Sequence, residues 1–184
     1  MTRMLLSALS AAALAATAPA FAQQEEGEAA GSGGPGFTIA ARAVVNDRDG
    51  NEVGTVTLNE TRSGTPLVIV ALSGLPEGQH GIHLHETGDC SADDFTSAGG
   101  HIAGGAQHGI QVEGGPHPGD LPNVTVGEQG NVNAEFFAHG LSIADMVMDE
   151  DGAAFIVHAE ADDYVSQPAG NAGDRIACGA LEEV

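Results

Sequence analysis

From Phe37 onward no helical period persists; short runs of β-branched and small apolar residues alternate with Gly, Asp and Asn turn signals. The first two runs, Phe37 to Asn46 and Asn51 to Glu60, flank Asp47-Arg48-Asp49-Gly50, where Asp-Gly supplies the positive φ that a hairpin needs. Others fall at Thr65 to Leu72, Gly81 to His85, Leu121 to Val126, Asn131 to Phe137, Ala153 to His158 and Arg175 to Leu181. Pro66 marks the third run as an edge or a strand beginning, because proline cannot donate to a ladder. Eight short strands predict an all-β antiparallel sandwich or flattened barrel. Two long aperiodic stretches remain, Glu86 to Gly119 and Ala159 to Asp174. Both exceed the ~12 residues that compact domains leave without structure or use. Something besides apolar burial must hold the first, and a bound metal or a disulfide would do so.

Ahead of this domain, Arg3, an apolar stretch from Met4 to about Ala18 and the small-x-small site Ala20-Phe21-Ala22 read as a secretory signal peptide, residues 1–22. Cleavage is expected between Ala22 and Gln23, and the apolar run falls short of the ~20 residues a bilayer needs, so no stable membrane anchor is expected. Residues 23–36 (QQEEGEAAGSGGPG) form an acidic, Gly-rich tether expected to be disordered, which leaves 37–184 as the folded domain. The chain has no Lys and five Arg against 26 acidic residues, a net charge of −21. Nucleic acid is excluded as a partner by that balance, since phosphate neutralisation needs clustered cations. Cys90 and Cys178 are the only cysteines, and in an exported chain they are expected to pair. The 88-residue separation would make the bond worth about 4 to 5 kcal/mol through chain entropy.

Six of the eight histidines fall between His80 and His117. His83 and His85 are i and i+2 on a strand, so both imidazoles leave one face and offer two nitrogens to one metal. The long loop then supplies His101, His108, His117 and Asp120, three imidazoles and a carboxylate, which suit tetrahedral zinc. His158 ends a late strand and can return to the His83 and His85 face. An all-imidazole group there suits copper. His80 and His139 are read as structural or surface residues.

Several motifs in order carry a family resemblance: His80-Gly81-Ile82-His83-Leu84-His85, Thr87-Gly88-Asp89-Cys90, Ser97-Ala98-Gly99-Gly100-His101, Gly115-Pro116-His117-Pro118-Gly119-Asp120-Leu121-Pro122-Asn123, Val157-His158 to Asp163, and Gly170 to Gly179. Over nearly all of 37–184 the chain resembles bacterial exported copper/zinc superoxide dismutases. The resemblance implies an eight-stranded antiparallel Greek-key flattened barrel or sandwich, immunoglobulin-like, with two long functional loops. It implies copper on His83, His85, His101 and His158 and zinc on His101, His108, His117 and Asp120, one ion of each per subunit, with His101 bridging them. Asp162 would link a copper-side to a zinc-side histidine, fixing their tautomers. Arg175 would guide superoxide, the small-molecule substrate, to the copper mouth, with the Cys90–Cys178 bond helping to hold it. A periplasmic location and a homodimer are further options under this resemblance. One departure stands out: Ile102 to Gln107 is a residue shorter than the family's usual segment and lacks its aromatic-Asn-Pro, which bears on zinc affinity.

The implied reaction is dismutation of superoxide to oxygen and hydrogen peroxide, with His101 releasing and regaining copper and carrying a proton. The competing reading is an exported copper or zinc binding or storage protein of the same fold without fast turnover. With so acidic a body, the rate is expected to be flat or to rise with ionic strength if global repulsion dominates.

Overall fold

The computed structural model describes residues 37–184; the segments read from the sequence as a signal peptide (1–22) and a tether (23–36) lie outside the described residues. Its strands are β1 (Thr38–Asp47), β2 (Glu52–Glu60), β3 (Leu67–Leu72), β4 (Gly78–His80) and β5 (Ile82–His85). They continue with β6 (Val124–Val126), β7 (Val132–Phe137), β8 (Ala154–His158), β9 (Arg175–Ala180) and β10 (Glu182–Glu183). One antiparallel sheet runs β5-β8-β9-β1-β2-β3-β7, with β10 also on β1, while β4 and β6 make a separate pair. The curled antiparallel architecture is the flattened barrel that the turn pattern predicts.

The first hairpin closes as its residues dictate. The Asp47 carboxylate accepts from the Asp49 and Asn51 N–H groups at 2.9 and 2.8 Å, and Gly50 takes φ 81°. Alternation then places Ala41, Ala43 and Val45 of β1 wholly inside. Strand β8 is buried on both faces. Its Phe155 and Val157 enter the main core, whereas Ala154 and Ile156 pack with Phe95, Ala98 and Cys178 in a second, smaller cluster. The long loop after β5 therefore covers the outer face of β8 and β9. Cys90 and Cys178 are disulfide-bonded there, with Cα atoms 5.9 Å apart.

Three local expectations change. Pro66 marks a strand beginning and not an edge, because β3 lies between β2 and β7 and Pro66 sits just outside it, its carbonyl accepting from the Ala138 N–H at 2.9 Å. The Gly81 to His85 run is interrupted at Gly81, whose N–H donates to Glu160 O and whose carbonyl accepts from the His158 N–H, each at 2.8 Å. That break hands His80 to β4 and His83 to β5. The run from Leu121 becomes ladder only at Val124, and a four-residue helix, α1 (Ile143–Met146), capped by Ser142, follows β7.

Candidate metal centre

On β5, Ile82 and Leu84 enter the main core, so His83 and His85 share the opposite face, each fully buried. The loop returns along this strand. Ile102 N–H donates to Leu84 O at 2.9 Å and Leu84 N–H to Gly119 O at 2.8 Å, which sets His101 beside His85 and Asp120 beside His83. Strand β8, paired with β5 in antiparallel register, delivers His158 to the same space. The shortened segment still closes: Gly104 and Gly105 adopt φ 56° and 80°, Ala106 N–H donates to Ala103 O, and His108 arrives buried at the centre.

Two four-residue groups result, His83, His85, His101, His158 and His101, His108, His117, Asp120, each with its ligand atoms within 4.8 Å of one another. In the first, His83 Nε2–H donates to Asp162 Oδ2 at 2.8 Å, His85 Nδ1–H to Gly99 O at 3.0 Å and His158 Nδ1–H to Gly173 O at 3.3 Å. Those bonds fix the tautomers and turn a lone pair inward from the opposite ring nitrogen. The inward atoms, His83 Nδ1, His85 Nε2, His158 Nε2 and His101 Nε2, are buried and have no hydrogen-bond partner. Burial pushes the imidazoles of His83, His85 and His158 down to about 4, 2 and 3, so protons do not fill the gap at neutral pH. Converging bare lone pairs fit a soft-to-borderline cation such as copper.

The second group is arranged around one oxygen. Asp120 Oδ1 lies 2.9, 3.0 and 3.2 Å from Nδ1 of His101, His108 and His117, while Oδ2 accepts from the backbone N–H groups of Gly109 and His117. Burial pushes the Asp120 carboxyl up, but the bonds from His101 and the Gly109 N–H outweigh it and hold the group well below the carboxylate range. His108 also meets Asp162 Oδ1 through Nε2 at 3.1 Å. A neutral imidazole has one proton for these two carboxylates, so donating to Asp162 leaves Nδ1 bare toward Asp120. A divalent cation relieves that opposition, and three nitrogens with one oxygen match zinc.

Asp162 thus hydrogen-bonds to both His83 and His108. Burial raises its carboxyl; the bonds from His83, the Tyr164 N–H and His108 win and keep it ionised. Sequence reading missed what holds Asp162. Asn123 exchanges two bonds with its backbone, Nδ2–H to Asp162 O and Asp162 N–H to Oδ1, both at 2.8 Å, and the Asn123 N–H donates to the Tyr164 hydroxyl. Tyr164, the chain's only tyrosine, holds φ 64°, a conformation its environment enforces. The run Leu121-Pro122-Asn123 was the only signal available, and it points to no partner.

Arg175 is half-buried at the start of β9. It donates from Nη1 to Phe95 O and from Nη2 to Gly99 O, both at 2.6 Å, and Gly99 O is also the acceptor for His85. It does not pair with its neighbour Asp174, which lies against Arg48. Outside both groups, His80 is buried between His158 O and Pro76 O, a structural position, and His139 is exposed.

Residues 52–181 match the family described as copper/zinc superoxide dismutase (SODC), so the chain belongs to the copper/zinc superoxide dismutase family. Among its relatives, a superoxide dismutase (Cu-Zn) of Caulobacter vibrioides is 39% identical over 150 residues, 78% of this chain and 86% of that protein. A superoxide dismutase-like protein of Bacillus subtilis is 41% identical over 141 residues, 73% of this chain and 72% of the relative. The crystal structure of a SOD-like protein from Bacillus subtilis superposes with a TM-score of 0.74 at 37% identity, covering 79% of this chain and 99% of that one. That of the Brucella abortus Cu/Zn superoxide dismutase gives 0.64 at 30%, covering 77% and 99%.

Proposed function

We propose that this chain dismutates superoxide, two superoxide ions and two protons giving oxygen and hydrogen peroxide. The observation that carries the reading is the set of four buried, unpartnered imidazole nitrogens on His83, His85, His101 and His158. These four would hold copper, and His101, His108, His117 and Asp120 would hold zinc. When bound, copper supplies the one-electron redox couple and zinc a redox-silent charge that organises the loop.

The remaining roles belong to the chain. His101 faces both groups, Nδ1 toward Asp120 and Nε2 toward His83, His85 and His158, so it would belong to both ligand sets and is placed to accept and return one proton at Nε2. Asp162 keeps His83 and His108 in the tautomers that leave Nδ1 free. Two carbonyls fix the Arg175 guanidinium beside His85, where its positive charge attracts and orients the anion. Export belongs to the same reading: a leader removed before Gln23 would bring the chain to the periplasm, and N-terminal sequencing of the secreted form checks it.

The decisive experiment is pulse radiolysis of superoxide decay with residues 23–184 loaded with copper and zinc, against the metal-free protein. A second-order constant of about 10⁸ to 10⁹ M⁻¹s⁻¹ is expected, at the diffusional ceiling that superoxide dismutases are known for. Decay no faster than the control overturns the reading. It would favour metal binding or storage without turnover, a second reading prompted by the kinship with the superoxide dismutase-like protein of Bacillus subtilis.

A further inference from the structure

Once Arg3 is removed, four arginines remain and no lysine, and two of the four meet at one edge of the site. Arg48 rides the β1–β2 hairpin, far in sequence from any ligand. Its Nε–H nevertheless donates to Arg175 O at 2.7 Å, across 127 residues, and its Nη1 stands 3.8 Å from Asp174 Oδ2. Arg175 in turn faces His158 across the β8–β9 ladder. The hairpin therefore sets a second guanidinium over the start of β9, the strand that carries Arg175 and that pairs in turn with the strand ending in His158.

We infer that Arg48 is a second anion-guiding cation of the proposed dismutase site, anchored over its rim by the Arg175 carbonyl. The inference rests on the reading of the site as a superoxide-binding copper centre. Three observations support it. The side chain is 40% exposed, so its charge faces solvent, and Nη2 makes no hydrogen bond among the described residues. Its acidic partner Asp174 is 80% exposed, and a pair that open and 3.8 Å apart neutralises little in water. The surrounding rim is otherwise acidic: Asp94, Glu160, Asp163 and Asp174 all lie exposed on the two loops that frame the site. Asp94 lies within electrostatic reach of both arginines. Without Arg48 an incoming anion would meet Arg175 alone behind four carboxylates. At physiological salt charges act over ~8 Å, so a cation on the rim outweighs the distant bulk of the acidic body.

The test compares the metal-loaded mature protein with Arg48→Gln and Arg48→Lys, using azide as the anion probe. Its dissociation constant is read from the visible spectrum of copper at about 10 mM and 500 mM salt, beside the superoxide rate. At low salt the Gln variant is expected to bind azide about three- to fivefold more weakly and to lose rate by a similar factor. The Lys variant should recover most of both, and the differences should vanish at high salt. Wild-type azide affinity in Arg48→Gln overturns the inference. So does a loss that persists at high salt or that Lys does not rescue, since either marks a structural role only. Failure of the underlying reading is separate: the wild-type protein itself would then show no dismutation.

Discussion

The two metal-ligand groups share His101 yet are built on opposite plans. Three of the four imidazoles in the proposed copper group sit on β5 and β8, whose register is set by a ladder and whose other faces are the main core. All ligands of the proposed zinc group sit on the loop between β5 and β6, where the fixed points are a turn of two positive-φ glycines, two bonds to Leu84 of β5 and the Asp120 carboxylate. The strand-built group presents bare nitrogens to one another; the loop-built group has wound itself around an oxygen. Ladder geometry persists without an ion, whereas loop geometry leans on whatever charge occupies it.

Removing a ligand from each side is the strongest way to break this contrast. His158→Ala is expected to lower dismutation at least a thousandfold while zinc stays at one equivalent per chain. Asp120→Ala should release zinc, leave copper bound and reduce activity by about tenfold. Metal analysis beside pulse radiolysis checks both, and equal loss of both ions from either variant would erase the distinction.

The disulfide joins the two plans, tying the loop to β9. Replacing Cys90 and Cys178 by Ser should cost the metal-free protein about 4 to 5 kcal/mol in denaturant unfolding. Acid probes the strand-built side most strongly, although burial also lowers the His117 imidazole on the loop-built side. His83, His85 and His158 have folded values near 4, 2 and 3 against about 6.5 unfolded, so below pH 6.5 the unfolded chain takes up protons that the folded one refuses. Stability is whole above pH 6.5 and falls as pH drops toward 4, by up to about 4 kcal/mol per unit if all three stay neutral. A flat stability profile of the metal-free protein between pH 7 and 5 would contradict this. The smallest effect is expected at Gly170, where φ is 66° and an added Cβ would overlap Asp162 Oδ1 and stand 2.7 Å from His108 Nε2. Gly170→Ala should cost about 2 kcal/mol and loosen zinc before copper, as a zinc-chelator titration would reveal.

What was legible in the chain follows the same divide. The i, i+2 spacing of His83 and His85 declared a shared face, and Asp-Gly declared the first hairpin, because both are local consequences of backbone geometry. The side chains of the two candidate groups also lie together in the structure, even though the segment before His108 is short. Hidden were the pieces that act at a distance: the Asn123 and Tyr164 grip on Asp162, the Gly99 carbonyl shared by His85 and Arg175, and the reach of Arg48. Each spans tens of residues through a backbone atom, which has no residue type to read. The β4 and β6 pair was missed because a break at Gly81 depends on Glu160 and His158, both far along the chain.

Asp162 touches one imidazole from each plan through its two oxygens. It therefore joins two binding equilibria into one. An ion that settles the proton on His108 Nε2 also stiffens the carboxylate that orients His83, and the reverse exchange carries the same free energy. Whatever factor an ion in one group adds to the affinity of the other group, the second ion must return to the first, so the order of loading changes the path and leaves the end state alone.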